Sequence, residues 1–537
     1  MLAMANRLSP DTARPLASES PGSEKLRDTL AHFDGQGWTL MQQIALIQTR
    51  SATDISCPPV TVEVHILSGL PALIIVGLPA TAVKESRERV RSAITSCGLV
   101  FPQRRIVVNL APADLPKDGS RFDLPIAIGI LAASQQLATD ALAQWEFAGE
   151  LALTGTLRPT SGLLAMAAQV KACGHHLLTD QRGATEAALV HPGRSYGART
   201  LRDVYDHLRG RHLLPPACPV ESVPRALPDL IDVRGQARGR RALEIAAAGG
   251  HSLLLIGPPG TGKSMLAERL PGLLPPLTDE ETMESAAVQS LAIDGFDAAN
   301  WGVRPFRAPH HTASATALTG GGHRPRPGEV SLAHHGVLFL DELAEFGRDA
   351  LEALREPLES GQITISRARG RSTYPARLLL VAAMNPCPCG YADDPEVLCD
   401  CRPETIRRYR RRISGPLLDR FDLRIELPRL PPGVLSDMRD GESSSVVRER
   451  VERVRNNRPA AFRAGYAGAS IKTLESLCQL DQAERDLLSS VVANLSLSTR
   501  GYGRLLAVAR TIADLAGSPG VTVAHLGEAV TLRRPLH

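Results

Sequence analysis

Residues 252–264 read Ser-Leu-Leu-Leu-Ile-Gly-Pro-Pro-Gly-Thr-Gly-Lys-Ser. An apolar run, Leu253 to Ile256, leads straight into Gly257, Pro258, Pro259, Gly260, Thr261, Gly262, Lys263 and Ser264. This is the spacing of a phosphate-binding loop set between a buried strand and a helix. Glycines let backbone N–H groups wrap phosphate oxygens, and the helix N-terminus adds partial positive charge. Lys263 has the reach for β- and γ-phosphates, and Ser264 offers a hydroxyl to Mg²⁺. A chance glycine-rich turn is the competing reading, and the full pattern behind a strand argues against it. A second apolar run, Gly336 to Leu340, ends in Asp341 and Glu342. Asp341 suits holding Mg²⁺ through water, and Glu342 suits polarising an attacking water. Downstream of a phosphate loop, that pair marks a hydrolysing NTPase.

Further polar groups sit at the ends of apolar runs. Asn385 closes Leu378 to Met384. An amide at a strand tip can orient the attacking water; before Pro386 it can also simply form a turn. Arg420, in Leu417-Leu418-Asp419-Arg420-Phe421-Asp422, can neutralise a γ-phosphate in trans, or form a surface salt bridge. Arg500 opens the helix Gly501 to Leu515 and can reach the same phosphate, with Arg504 one turn on as the second candidate. Cys387-x-Cys389 and Cys399-x-Cys401 flank a nine-residue loop. Four thiolates can hold tetrahedral Zn²⁺; the alternative is a set of reduced cysteines in a local loop. Arg402, Arg407, Arg408, Arg410, Arg411 and Arg412 follow, as a DNA-facing or an intersubunit surface.

The elements that must position these groups are an α/β core and its flanks. The chain has 537 residues, enough for about three domains. Hydrophobic content of 43% and charged content of 22% fit a globular protein, and a net charge of +4 is too small to demand a polyanionic partner. No apolar run reaches membrane-span length and no signal-peptide core opens the chain, so a cytoplasmic location without a membrane partner is expected. Nine cysteines, an odd number, argue against a disulfide framework. Residues 1–40 are rich in Ser, Pro, Ala and charge and read as a disordered extension, and Met41 could itself serve as the start. Residues 41–210 alternate strands (Val60–Ile66, Leu73–Val76, Ile106–Leu110) with helices (Thr81–Cys97 and the wholly apolar Leu124–Ala133), an α/β or α+β pattern. Residues 211–228 carry five prolines and read as a linker. Residues 229–430 hold the phosphate loop and its parallel sheet. Residues 431–537 read as a helical lid, with Leu, Val and Ala at helical spacing from about residue 443 onward.

The motifs together resemble the AAA+ ATPases, whose order runs phosphate loop, Asp341-Glu342, Asn385, Arg420 and lid Arg500. Three stretches are more specific: Arg307-Ala308-Pro309-His310-His311-Thr312, Pro327-Gly328-Glu329-Val330-Ser331-Leu332-Ala333-His334, and Ser414-Gly415-Pro416-Leu417-Leu418-Asp419-Arg420. They look like the magnesium-chelatase-like AAA+ family and, within it, the competence protein ComM (YifB) subfamily, over residues 41–537. The resemblance implies ATP and Mg²⁺ as cofactors and a hexameric homo-oligomeric ring with ATP between subunits. It implies that Arg420 acts on the neighbour's nucleotide, and that DNA, branched or single-stranded, is the partner of a branch-migration helicase.

The family also carries two insertions. One falls around 290–328, with Arg304, Arg307, His310, His311 and the flexible Gly320-Gly321-Gly322. The histidines read as DNA-side groups, or equally as a structural pair or subunit contact. The other is a hairpin with strands near 362–366 and 374–383 and a tip Arg367-Ala368-Arg369-Gly370-Arg371. Arg367, Arg369 and Arg371 suit a phosphate backbone better than a base code, with a solvated basic turn as the alternative.

Residues 115–119 and 149–155 look like the Lon-protease proteolytic fold. The position of its catalytic Ser is Arg121 here, and that of its Lys is Leu164; a Ser–Lys dyad needs both groups, so a scaffold or DNA-contacting collar is expected. An ATP-driven motor on branched DNA is the first reading. A chelatase-type ATPase remodelling a protein or metal-insertion partner is the second, and a Lon-like peptidase the third.

Overall fold

The computed structural model describes residues 44–77, 80–117, 119–219, 226–322, 325–367, 370–392, 394, 396–430, 441–466, 468–495 and 497–533. The expected disorder of residues 1–40 lies outside these residues.

The N-terminal part is built on a seven-stranded mixed sheet. Its strands are β1 (Ile44–Arg50), β2 (Pro59–Leu67), β3 (Ala72–Val76), β4 (Arg105–Ala111), β5 (Trp145–Phe147), β6 (His176–Asp180) and β7 (Ser195–Ala198), in the order β3-β4-β2-β1-β5-β6-β7. Strict alternation in β2 buries Val60, Val62, Val64 and Ile66 on one face. Helix α1 (Thr81–Ser96) offers Val83, Val90, Ala93 and Ile94 to the same core. Helix α2 (Asp123–Ala133) has no polar face because every one of its residues is buried. Helix α3 (Leu163–Cys173) follows. Arg121 and Leu164 are both buried, so the position that a nucleophile would need holds an inaccessible guanidinium. The proline-rich segment is not wholly detached: Ala217 donates to the Ser195 carbonyl at 2.7 Å, and Pro216 bridges Tyr196.

The second sheet is parallel throughout. Its strands are β8 (Leu253–Ile256), β9 (Phe306–Arg307), β10 (Val337–Leu340), β13 (Leu379–Met384) and β14 (Leu423–Glu426), in the order β9-β10-β13-β8-β14; β11 (Gln362–Arg367) and β12 (Gly370–Pro375) form a separate hairpin. The central strands β8, β10 and β13 are buried at every position, as expected when both faces of a parallel sheet are covered. Period two divides their side chains between two cores. Leu253, Leu255, Val337, Phe339, Val381 and Ala383 join one cluster with the C-terminal helices. Leu254, Ile256, Leu338, Leu340, Leu380 and Ala382 join another with hairpin residues Ile363, Ile365 and Tyr374.

This corrects the expected hairpin boundary. The returning strand ends at Pro375 and β13 begins afresh at Leu379, because proline lacks a ladder donor and Ala376 turns back to the Gly361 carbonyl. Helices α4 (Ala237–Gly249), α5 (Lys263–Leu273), α6 (Asp279–Ser290), α7 (Arg355–Ser360) and α8 (Pro403–Arg410) surround the sheet. Five further helices close the chain: α9 (Ser444–Asn457), α10 (Ile471–Cys478), α11 (Gln482–Asn494), α12 (Thr499–Leu515) and α13 (Val523–Thr531). No helix among the described residues is long and apolar enough to cross a membrane.

Candidate nucleotide site

Parallel sheets place ligands beyond the carboxyl ends of their strands. Here β13 lies between β10 and β8, with Leu380 beside Leu338 and Ala383 beside Leu255. Three strand ends therefore deliver Asp341 and Glu342, Asn385 and the loop 257–264 to one edge. Gly262 sits at φ +83 and Gly260 at φ +78, conformations that favour glycine, and a Cβ on either would meet nothing within 4 Å. The loop is thus an open cradle whose N–H groups lead into α5. Gln236 fixes it from behind, donating to the carbonyls of Thr261 (3.2 Å) and Pro428 (2.8 Å).

The side chains fold back on this cradle. Lys263 Nζ donates to the carbonyls of Gly257 (2.8 Å) and Pro258 (2.9 Å) and to Asn385 Oδ1 (3.2 Å). Burial lowers the Lys263 pKa, with Asp341 and Glu342 opposing the shift. Ser264 Oγ donates to Asp341 Oδ2 at 2.7 Å. A hydroxyl and a carboxylate in contact, an ammonium among carbonyls and an open cradle are the donor set that nucleotide phosphates with Mg²⁺ require. Pro258, Pro259 and Thr261 complete the loop, Thr261 Oγ1 donating to the Pro258 carbonyl.

Glu342 stands apart from that network. Its backbone is left-handed at φ +52, its N–H donates to Asp341 Oδ1 at 2.9 Å, and its carboxylate meets His311 Nδ1 at 2.8 Å. The sequence offered His310–His311 as a local pair, and their rings do lie 4.1 Å apart, tilted by 34°, but the link to Glu342 spans separate segments and left no local signal. Other insertion groups are also engaged within the chain. Arg304 donates to the Pro275 and His335 carbonyls, and Arg307 pairs with Glu329 at 2.7 Å. Gly320 and Gly321 form a short ladder with Pro327 and Arg326, so the glycines serve close backbone approach there.

Arg420 and Arg500 converge on one carboxylate. Glu359 Oε1 lies 2.7 Å from Arg420 Nη2 and 2.5 Å from Arg500 Nη2. Burial lowers the Arg420 pKa, with Glu359 opposing it. Glu359 and Arg420 line a shallow cleft with Glu352, Arg355, Glu356 and Ser360, and no residue of the phosphate loop lines it. Arg504, the second candidate, is instead tied to Asp422 at 2.8 Å and to the Arg420 carbonyl.

The hairpin is anchored at its base by Tyr374, whose buried hydroxyl lies within hydrogen-bond distance of the Thr53 (2.8 Å) and Pro325 (3.0 Å) carbonyls. Arg371 is exposed; Arg369 and the Arg367 side chain lie outside the described residues. Cys387, Cys389, Cys399 and Cys401 bring four Sγ atoms within 4.8 Å of one another. A second set joins His334, which closes the 327–334 stretch, to Glu284 and His335, a grouping that the sequence motifs do not make. His334 Nδ1 accepts from the Arg377 N–H (3.1 Å), so Nε2 carries the proton that faces Glu284; that tautomer serves a hydrogen bond rather than a metal.

Three family descriptions match the chain. Magnesium chelatase, subunit ChlI covers residues 229–435, Subunit ChlI of Mg-chelatase covers 62–179, and Magnesium chelatase, subunit ChlI C-terminal covers 441–533. The protein YifB of Escherichia coli (strain K12) is 50% identical over 492 residues, covering 91% of this chain and 97% of YifB. Competence protein ComM of Haemophilus influenzae is 49% identical over 499 residues, with the same coverage of 91% and 97%. The chloroplast magnesium-chelatase subunit ChlI-2 of Arabidopsis thaliana is 26% identical over 313 residues, covering 51% of this chain and 66% of that one. With the parallel sheet and its phosphate loop in place, these likenesses make the chain a member of the magnesium-chelatase-like AAA+ ATPase family, of the ComM/YifB type.

Proposed function

We propose that the protein is an ATP-hydrolysing ring motor that acts on DNA as a branch-migration helicase in recombination. The observation that carries this reading is a division of labour. Lys263, Ser264, Asp341, Glu342 and Asn385 meet at one sheet edge, while Arg420 and Arg500 meet on Glu359, beside a cleft that no phosphate-loop residue lines. A nucleotide held by the first group needs the second from another subunit, which supports a closed ring, hexameric in this reading.

Each residue then has a task. Lys263 and the loop N–H groups bind and orient the phosphates. Ser264 and Asp341 would hold Mg²⁺, which when bound neutralises phosphate charge. Asn385 positions water, and Glu342 accepts its proton once His311 no longer holds the carboxylate. Arg420 and Arg500 offset charge on the neighbour's γ-phosphate.

Arg367, Arg369 and Arg371 contact DNA phosphates from the hairpin. The 41–210 part serves as a Lon-like scaffold, joined through 211–228 to the 229–430 core, and 431–537 as the lid. Zinc belongs on Cys387, Cys389, Cys399 and Cys401. The chelatase-type alternative, a remodeller of a protein or metal-insertion partner, draws support from the family descriptions. ATPase rate with and without a Holliday-junction substrate separates the two. Stimulation supports the DNA motor, and indifference to every DNA form favours the remodeller.

A further inference from the structure

Resting on the zinc assignment above, we propose that the four-cysteine loop is a zinc knuckle that braces Asn385 and the phosphate loop, so that metal occupancy sets nucleotide affinity. The thiols are already placed for one ion. The Sγ separations are 3.3 Å (Cys387–Cys389), 3.5 Å (Cys389–Cys399) and 3.7 Å (Cys387–Cys399). Four sulfurs at the usual Zn–S distance of about 2.3 Å stand about 3.8 Å apart in a tetrahedron. The Ala392 N–H points at Cys387 Sγ from 3.2 Å, the kind of donor that a metal-bound thiolate accepts. All the cysteines are free thiols, and these separations are far beyond an S–S bond of about 2.05 Å.

The loop needs such a tie. Between the tip of β13 and the start of α8 the described residues form no helix or strand. A connection of that length, with Cys387 fully buried and the described residues beyond Gly390 half-buried or exposed, has few backbone bonds to hold it. Cross-linking both ends through one ion supplies the missing constraint.

Its position joins it to the nucleotide site. Cys387 is two residues beyond Asn385, which accepts from Lys263. Gly390, at φ +89, lies so close to the phosphate loop that a Cβ there would stand 2.7 Å from Pro259 Cδ. Arg410 Nε donates to the Pro386 carbonyl at 3.2 Å, and Arg429 pairs with Asp394 at 3.3 Å while lying over the Tyr391 ring. The knuckle is therefore clamped to the core on its outer sides and leans on Pro259 with its tip. Losing the ion frees a segment that lies against both the amide and the loop proline.

The test uses the full-length protein. Elemental analysis should find one zinc per chain. Displacing it with a mercurial reagent, with zinc release followed by a chromogenic chelator, should weaken binding of a fluorescent ATP analogue roughly tenfold, the scale of one hydrogen bond to a charged group. Cys399→Ser with Cys401→Ser should do the same while the far-ultraviolet dichroism stays unchanged. Gly390→Ala keeps all four ligands; it should retain zinc yet lose affinity to a similar degree, and it carries the test should the cysteine variant fail to fold. No stoichiometric zinc, or cysteines joined as disulfides by mass, overturns the metal assignment itself. Zinc present, but nucleotide affinity unchanged after its removal and in Gly390→Ala, overturns the coupling and leaves the metal assignment standing.

Discussion

Glu342→Gln separates binding from turnover in a way the geometry makes quantitative. The Glu342 side chain is 53% exposed, and its carboxylate pairs with His311 at 2.8 Å. Lys263 bonds to Asn385, and Ser264 to Asp341, without that side chain. Glutamine has the same shape and can still bond to His311. Stability should therefore move by less than about 0.5 kcal/mol, and ATP affinity by less than about twofold. A general base contributes about 10²- to 10⁴-fold to rate, or about 2.7–5.5 kcal/mol. Steady-state phosphate release should fall by at least the lower figure, while titration with a fluorescent ATP analogue stays at the parental curve. Lys263→Met should give the inverse pattern, because that ammonium belongs to the cradle itself. A Glu342→Gln protein that hydrolyses at the parental rate, or that loses binding as Lys263→Met does, refutes the assignment.

Arg420→Ala should poison mixed assemblies, since the defect would lie in a neighbour's site; an arginine finger is worth about 10³- to 10⁵-fold, so activity that falls only in proportion to the mutant fraction would exclude the role in trans. Replacing Arg367, Arg369 and Arg371 with Ala should leave basal ATPase intact and flatten the salt dependence of DNA binding by about one slope unit for each phosphate no longer neutralised; equal slopes and affinities would make the hairpin a bystander. For acid stability, burial first and His335 second lower the His334 pKa to about 4. The folded state thus resists a proton that the unfolded chain takes up near pH 6.5, so stability present above that pH is lost as pH falls toward 4. His334→Gln should flatten the denaturation midpoint between pH 7 and pH 4.5 by an amount on the order of 1–3 kcal/mol, and an unchanged slope would show that the histidine titrates freely.

The nucleotide cradle was legible in the sequence because its chemistry is local. Gly257 through Ser264 are consecutive, and their spacing alone dictates a turn that opens a helix. Asp341, Glu342 and Asn385 could be read for a related reason: each ends an apolar run, and a buried parallel strand must be apolar along its length and polar where it emerges. The same rule misplaced the hairpin's second strand. The residues after Tyr374 stay largely apolar into β13, and nothing in periodicity marks the break that Pro375 imposes.

Other features depended on strand order and packing. That β13 separates β10 from β8, bringing Asn385 to Lys263, is a choice among sheet topologies that no single strand encodes. His311 reaches Glu342, and Glu359 collects Arg420 and Arg500, across separations along the chain that composition cannot bridge. Arg304 and Arg307, which the sequence places only as members of the 290–328 insertion, are bonded within the chain, and charge in sequence carries no record of its counter-charge in space. The residue types set which reactions were available to this protein; the tertiary structure chose the partners, since hydrogen bonds and ion pairs act over a few ångströms of space and only folding fixes those distances.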